Sequence, residues 1–356
     1  MPHLNSSATI LAGALAATLL FGGPARAQLV IEGETIADAR TFDAAKNEGQ
    51  LLVYGTYPAD AMGPITKAFQ ADTAIKVDFV RLVTQSMFQR ATSEFAANKL
   101  DADYIDLTDL PLIQLLIDRG ILNVPHKVPA FDKIPSEIKD PEGRWYGMIR
   151  PVSVIGINKS RVADADIPKR WKDLLAMKWK GGALGTPSID AGGSAFTMFS
   201  FLRSKVDPNF WTKFAAQAPH VYPSISPVAS DLARGEIAIA IGALSEQTIL
   251  QMKAGAPLTI IFPEEGISSF PISGGISTTA KHPNAAALFL DWMTSRRGGN
   301  IIASGGAYAA NKTANRPTGG GLEFPSADQV WNIRVEDWVA ARDSDTAEWR
   351  KTFGGK

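Results

Sequence analysis

Residues 143–160 read GRWYGMIRPVSVIGINKS, a Gly-Arg-Trp-Tyr-Gly turn that runs into a β-branched strand ending at Asn158. The chain before this stretch alternates short apolar strands with helical spacings, and the chain from Trp171 to Glu265 does so again. A second glycine-bearing extended segment, FPISGGISTT at 270–279, then leads back towards the first half. A chain that leaves one half, builds another and returns predicts two lobes joined by a two-strand hinge. Such lobes enclose a cleft, and clefts between domains are where small ligands are held.

With 356 residues, 45% of them hydrophobic and 20% charged, the chain has apolar material for two cores. Lys+Arg and Asp+Glu are balanced at 36 each, which argues against the basic face that nucleic acid or an anionic membrane requires. Residues 8–21, ATILAGALAATLLF, form an apolar run too short to span a bilayer comfortably, followed by Gly22, Gly23, Pro24 and the small-residue pattern Ala25-Arg26-Ala27. This predicts a cleaved secretory signal over residues 1–27, with the mature chain starting near Gln28. The stretch before the run carries no Lys or Arg, which leaves a retained apolar helix open. The chain has no cysteine, so neither a lipid anchor on a thiol nor a disulfide is expected. A free, periplasmic protein follows.

The periodicities predict helices at 36–48, 59–71 and 85–98 between strands at 50–54, 75–80 and 103–107, with a further helix opened by Asp109. After the first crossover, helices are expected at 170–177, 195–205, 208–217, 226–234 and 245–254, and strands at 182–185, 237–241 and 258–262. The return crossover leads to helices at 283–295 and 327–341. Alternation of this kind specifies α/β sheets covered by helices. The first lobe is expected over 28–149 plus 271–356, and the second over 150–270.

At this point the chain resembles a known family. The segments LLVYGTY at 51–57, DYIDLTD at 103–109 leading to DRGIL at 118–122, GINKS at 156–160, WKDL at 171–174, ARGEIA at 233–238 and TAKHPNAA at 279–286 occur in family order. Together they look like the periplasmic substrate-binding proteins of ABC importers. The branch is that of ferric-ion-binding proteins and their relatives for organic phosphates, phosphonates and polyamines. The resemblance implies a type II binding-protein fold, a cleft that closes on its ligand, no cofactor, and a monomer that delivers its ligand to an inner-membrane ABC permease.

Ferric-binding members are similar in carrying adjacent tyrosines after the strand that matches 237–241, because hard Fe(III) requires anionic oxygen ligands. Here that place reads Gly242-Ala243-Leu244-Ser245-Glu246-Gln247, and none of the six tyrosines adjoins another. Tyr57, Glu246 and Tyr308 are scattered oxygen donors and a poor cage. No metal is expected, and a ferric-binding or polyamine-binding protein stays as the alternative.

Ligand-facing residues in open α/β sheets lie where strands end and helices begin. That rule selects Thr56 and Tyr57, Gln85 and Ser86, and Thr108 and Asp109 in the first lobe. In the second it selects Ser188, Gly192, Gly193 and Ser194, with Ser245 and Glu246 after the 237–241 strand. Free N–H groups at the start of the helix after Gly193 favour an anion, and the paired glycines admit close approach to the backbone. Arg150, in the hinge, is either an anion clamp or a structural ion-pair partner. The plainer reading of Ser194 and Asp109 is an N-cap, of Gly192-Gly193 a turn, and of Tyr57 packing on the rim. Arg81 and Arg90 are expected as surface charges, as are His126, His220 and His282. Asp106 and Asp109 offer a negative rim that would instead suit an ammonium group. The chain has no G-x-S-x-G, phosphate-loop or cysteine nucleophile motif. The expected function is capture of a small organic ligand, anionic in the first instance, with an enzyme on the same fold as the minor alternative.

Overall fold

Two prolines mark the places where the chain changes lobes. The computed structural model describes residues 28–354, and the expected signal segment at 1–27 lies outside them. Tyr146–Arg150 and Val152–Asn158 are consecutive strands separated only by Pro151, yet they belong to different sheets. On the return, Ile267–Ser269 and Ile272–Ile276 flank Phe270 and Pro271 and again lie in different sheets. Proline has no N–H to give to a ladder, so each strand pair is cut where the chain must bend.

The first sheet has six strands in the order Tyr308–Ala309, Tyr146–Arg150, Ile272–Ile276, Tyr104–Leu107, Gln50–Gly55, Lys76–Arg81. The last three run parallel, and Ile272–Ile276 pairs antiparallel with both of its neighbours. The second sheet runs Val330–Asn332, Ile267–Ser269, Val152–Asn158, Ile239–Leu244, Leu184–Pro187, His220–Tyr222, with Leu258–Ile261 also pairing on Val152–Asn158. Each sheet therefore carries its hinge strands between a parallel set on one side and a short edge strand on the other. The α/β, two-lobed architecture expected from the crossovers is the one adopted.

Local signals account for most elements. Asp38 caps Ala39–Glu48 by accepting from the Thr41 N–H at 2.7 Å, and Gly49, with φ 69°, ends the helix in the left-handed conformation. Asp109 caps Leu110–Asp118 through the Leu112 N–H at 3.2 Å. The helix expected from Ile36 starts later, because Glu34–Ala37 pairs as a hairpin with Leu29–Ile31. The segment expected as a helix at 170–177 forms only a 3-10 turn, Trp171–Leu175. Two histidines expected at the surface are instead tied to buried aspartates: His126 Nε2 lies 2.7 Å from Asp291, and His282 Nδ1 lies 2.9 Å from Asp103.

The C-terminal segment corrects the expected lobe assignment. Residues 327–341 are not one helix; Val330–Asn332 is a strand, and the helix is Val335–Phe353. Both pack on the second lobe, although 271–356 was expected with the first. Trp338 and Trp349, eleven residues apart and so on one helical face, are fully buried there. Trp338 stacks on Phe196 with ring centroids 5.2 Å apart, and Trp349 meets Trp211 edge-on at 5.1 Å. Among the described residues no helix is long and apolar enough to cross a membrane.

Candidate functional site

The parallel strands of both sheets end at a common cleft. From the first lobe, Gln50–Gly55 delivers Thr56 and Tyr57, Lys76–Arg81 ends in Arg81 itself, and Tyr104–Leu107 delivers Thr108 and Asp109. From the second, Leu184–Pro187 delivers Ser188, His220–Tyr222 delivers Ser224, and Ile239–Leu244 delivers Ser245 and Glu246. The inner cleft is lined by Thr56, Tyr57, Arg81, Thr84, Thr108, Ser194, Ser224 and the apolar Ile225, Leu244 and Phe270. The lobes nearly meet there, leaving about 30 Å³, room for a water or two. At Thr84 it joins an outer groove of 670 Å³ between Gln85 and Asp109 on one side and Asp190, Gly192, Phe196 and the C-terminal helix on the other.

Several candidate residues are held by the protein itself. The Thr56 N–H and hydroxyl both donate to Asp106 at 2.8 Å. Burial pushes the Asp106 carboxyl up to about 6 against the pull of those donors. The Ser188 N–H donates to the Tyr222 carbonyl, and its hydroxyl accepts from the Asp190 N–H at 3.3 Å. Ser245 donates to the Gly306 carbonyl at 2.6 Å. Asp109 is both an N-cap and the partner of Arg342 on the C-terminal helix; burial raises its carboxyl and Arg342 opposes the rise. Gln85 reaches the outer groove, whereas Ser86 is exposed and lines neither part of the cleft.

Gly192 and Gly193 have separate reasons to be glycine. Gly192 has φ 129°, a region that side chains disfavour. Gly193 opens the helix Gly193–Phe201, and its N–H donates to the Thr108 hydroxyl of the other lobe at 3.0 Å. Thr108 in turn shares a 2.6 Å hydrogen bond with Thr84. The backbone donor expected to meet a ligand is engaged by a threonine across the cleft.

Arg81, expected as a surface charge, lines the inner cleft. It is half-buried, burial lowers its pKa, and its Nε has no hydrogen-bond partner. Ser194 lies in the first turn of Gly193–Phe201, and Ser224 stands at the N-cap of Ile225–Arg234 without making a side-chain cap bond. Two helix N-termini and one guanidinium thus open on the same space, a donor-rich arrangement suited to an anion. Sequence reading missed Ser224, and it misread Arg81. The available signal was that Arg81 is the last residue of a parallel strand.

Tyr57 lines the inner cleft, and Glu246, close enough to act on it by charge, is buried without lining the cleft. Burial, with Glu246 nearby, raises the Tyr57 hydroxyl well above its ordinary value, and burial pushes Glu246 up to about 8. Glu246 Oε1 has no hydrogen-bond partner. Tyr308 is not with them; it lies beside Arg150 and Arg316, on the other side of the hinge strands. Among the described residues no group of three or more His, Asp or Glu side chains is placed to hold a metal ion. Arg150 is also absent from the cleft lining and donates to Asn332 at 3.3 Å.

Two α/β lobes, a proline-marked hinge and a polar cleft fed by strand ends make up a two-lobed binding-protein fold. The chain belongs to the bacterial extracellular solute-binding protein family, which it matches over residues 101–330. An uncharacterized protein of Haemophilus influenzae is 27% identical over 267 residues, 72% of this chain and 75% of that one. The Fe(3+)-binding periplasmic protein of Serratia marcescens is 22% identical over 271 residues, 74% of this chain and 79% of its own. Among solved structures, the periplasmic binding protein AfuA from Actinobacillus pleuropneumoniae, with fructose-6-phosphate bound, matches with a TM-score of 0.71. It is 22% identical, over 86% of this chain and 99% of that one. Iron-bound HitA from Pseudomonas aeruginosa matches with a TM-score of 0.67 and 19% identity over 85% and 99%.

Proposed function

We propose that this chain captures a small organic anion, carrying a phosphate or carboxylate, in the periplasm and hands it to an ABC permease. The observation that carries the reading is Arg81: a half-buried guanidinium with an unpartnered Nε, facing the N-termini of Gly193–Phe201 and Ile225–Arg234. In this reading the anionic group lies among Arg81, Ser194 and Ser224, with Tyr57 on the wall. The rest of the ligand extends into the outer groove, whose 670 Å³ suits a small metabolite. The lobes divide at Pro151 and at Phe270-Pro271, and residues from Val330 onward go with the second lobe. Ligand favours the closed state by touching both lobes at once. The bound molecule leaves unaltered, and the protein acts as a monomer.

The test is calorimetry on the purified protein with fructose-6-phosphate, inorganic phosphate, small dicarboxylates, spermidine and ferric citrate, with recovery of the ligand afterwards. Binding of a phosphorylated or carboxylated compound, recovered unchanged, is the expected result. Binding of Fe(III) alone would overturn the organic-anion reading in favour of the ferric one. The iron-binding relatives support that second reading.

A further inference from the structure

A second cavity, of 530 Å³, lies behind the hinge. Sheet order places it. In the first sheet the hinge strands have the cleft-forming parallel strands on one side and Tyr308–Ala309 on the other. In the second sheet Val330–Asn332 occupies the corresponding edge. The cavity is walled by Tyr308 from the first edge strand and by Val330 and Asn332 from the second, so it faces away from the cleft and touches both lobes.

Its floor is Arg150. This side chain is 8% exposed, its Nε has no hydrogen-bond partner, and its one recorded bond is to the neutral Asn332 amide oxygen at 3.3 Å. A guanidinium offers five donors in a planar fork, and burying one without a carboxylate is unfavourable. Among the described residues none of Arg150, Lys312 and Arg316 makes an ion pair, and the last two stand exposed at the cavity rim. Glu137 and Asp328 are on that rim too, both exposed, so negative charge lies at the mouth and a guanidinium without a contact carboxylate at the floor. Glu137 favours the charged form of Arg150 from a distance, but neither carboxylate forms an ion pair with it.

We propose that the cavity behind the hinge is a second anion site, in which a small dicarboxylate or phosphate sits on the Arg150 fork with Arg316 and Lys312 closing over it. The site bridges the lobes opposite the cleft. Rotation about the hinge strands that opens the cleft narrows this cavity, so an anion lodged in it resists opening and strengthens binding in the cleft. The coupling is reciprocal: a ligand in the cleft tightens the anion behind the hinge by the same factor.

The experiment is isothermal titration of the full protein with inorganic phosphate, and separately with succinate, in the wild type and in the Arg316→Ala, Arg150→Gln and Arg81→Ala variants. Arg316 is exposed and its one bond is to the Phe324 carbonyl, so its removal leaves the fold intact even if Arg150→Gln disturbs the hinge. The expected result is a binding event weakened at least about tenfold by Arg316→Ala and retained in Arg81→Ala, losing there no more than its coupling to an occupied cleft. Absence of any event with either probe, or an event removed by Arg81→Ala and untouched by Arg316→Ala, overturns the second site. Neither of these results alone decides the ligand class of the cleft.

Discussion

Gly193 and Thr108, from opposite lobes, are in direct backbone contact: the Gly193 N–H donates to the Thr108 hydroxyl at 3.0 Å, and a Cβ built on Gly193 would overlap the Thr108 carbonyl oxygen. The same Cβ would lie 2.8 Å from Cη2 of Trp338. The lobes close to this distance only because residue 193 has no side chain.

Gly193→Ala should therefore hold the lobes apart. Ligand affinity is expected to fall at least about tenfold, ~1.4 kcal/mol, and the overlap with the buried Trp338 ring should also lower the unfolding midpoint of the unliganded protein. Calorimetry measures the first, and small-angle scattering should show a larger radius of gyration when ligand is present. A scattering profile equal to that of the wild type would show that the contact is not the closing latch. Gly193→Asp is for the same reason a steric test before it is a test of charge.

Arg81→Gln removes the cleft's unpartnered cation while keeping most of its volume. Loss of a charge-assisted contact of about 1.5–3 kcal/mol should weaken an anionic ligand roughly tenfold to a hundredfold. The binding heat of a phosphorylated compound, compared with that of ferric citrate, checks it: an equal loss for both would remove the distinction drawn between the two ligand classes.

Glu246 gives the protein a pH dependence of definite sign. Its carboxyl is pushed up to about 8 in the fold from an ordinary 4.5, so the native state keeps a proton that the unfolded chain releases. Stability should then fall as pH rises from about 4.5 to about 8, by an amount on the order of a few kcal/mol. Asp106, held at about 6, acts with the same sign but only over the lower part of that window. Urea midpoints between pH 6 and pH 8 isolate Glu246, and Glu246→Gln should flatten the slope there.

Trp349→Ala should cost about 3–5 kcal/mol, because an aromatic side chain is removed from a site with little room to collapse. Its ring lies 5.1 Å from Trp211, 5.9 Å from Phe199 and 4.1 Å from Phe353. The loss belongs to the second lobe. Hydrogen exchange is the discriminating measurement: amides of Ile239–Leu244 should lose protection before those of Gln50–Gly55.

Alternation of apolar strands and helices was legible because it is local, and the crossovers were legible as glycine-bearing extended runs at 143–160 and 270–279. The rule that strands end at the cleft selected Thr56, Tyr57 and Asp109, which line its inner and outer parts, and also Ser188 and Glu246, which line neither. It could not say that Ser245 and Thr56 would already be hydrogen-bonded within the protein, since their partners Gly306 and Asp106 are 61 and 50 residues away. Nor could it tell Arg81 from Arg150. Both end a strand at the lobe boundary, and which side of the hinge each faces depends on sheet order, a long-range property. The C-terminal helix was misplaced for a related reason. Trp338 and Trp349 announce a buried face, but nothing in their spacing names the surface that buries it.

The position of Val335–Phe353 also sets the order in which the molecule can be completed. Tyr104–Leu107 waits for Ile272–Ile276 to flank it, and the core around Trp211 and Phe199 waits for Trp349, more than a hundred residues further on. The first half therefore has its last strand, Tyr308–Ala309, before the second half has either Val330–Asn332 or Val335–Phe353, so the halves, though interleaved in sequence, are completed one after the other.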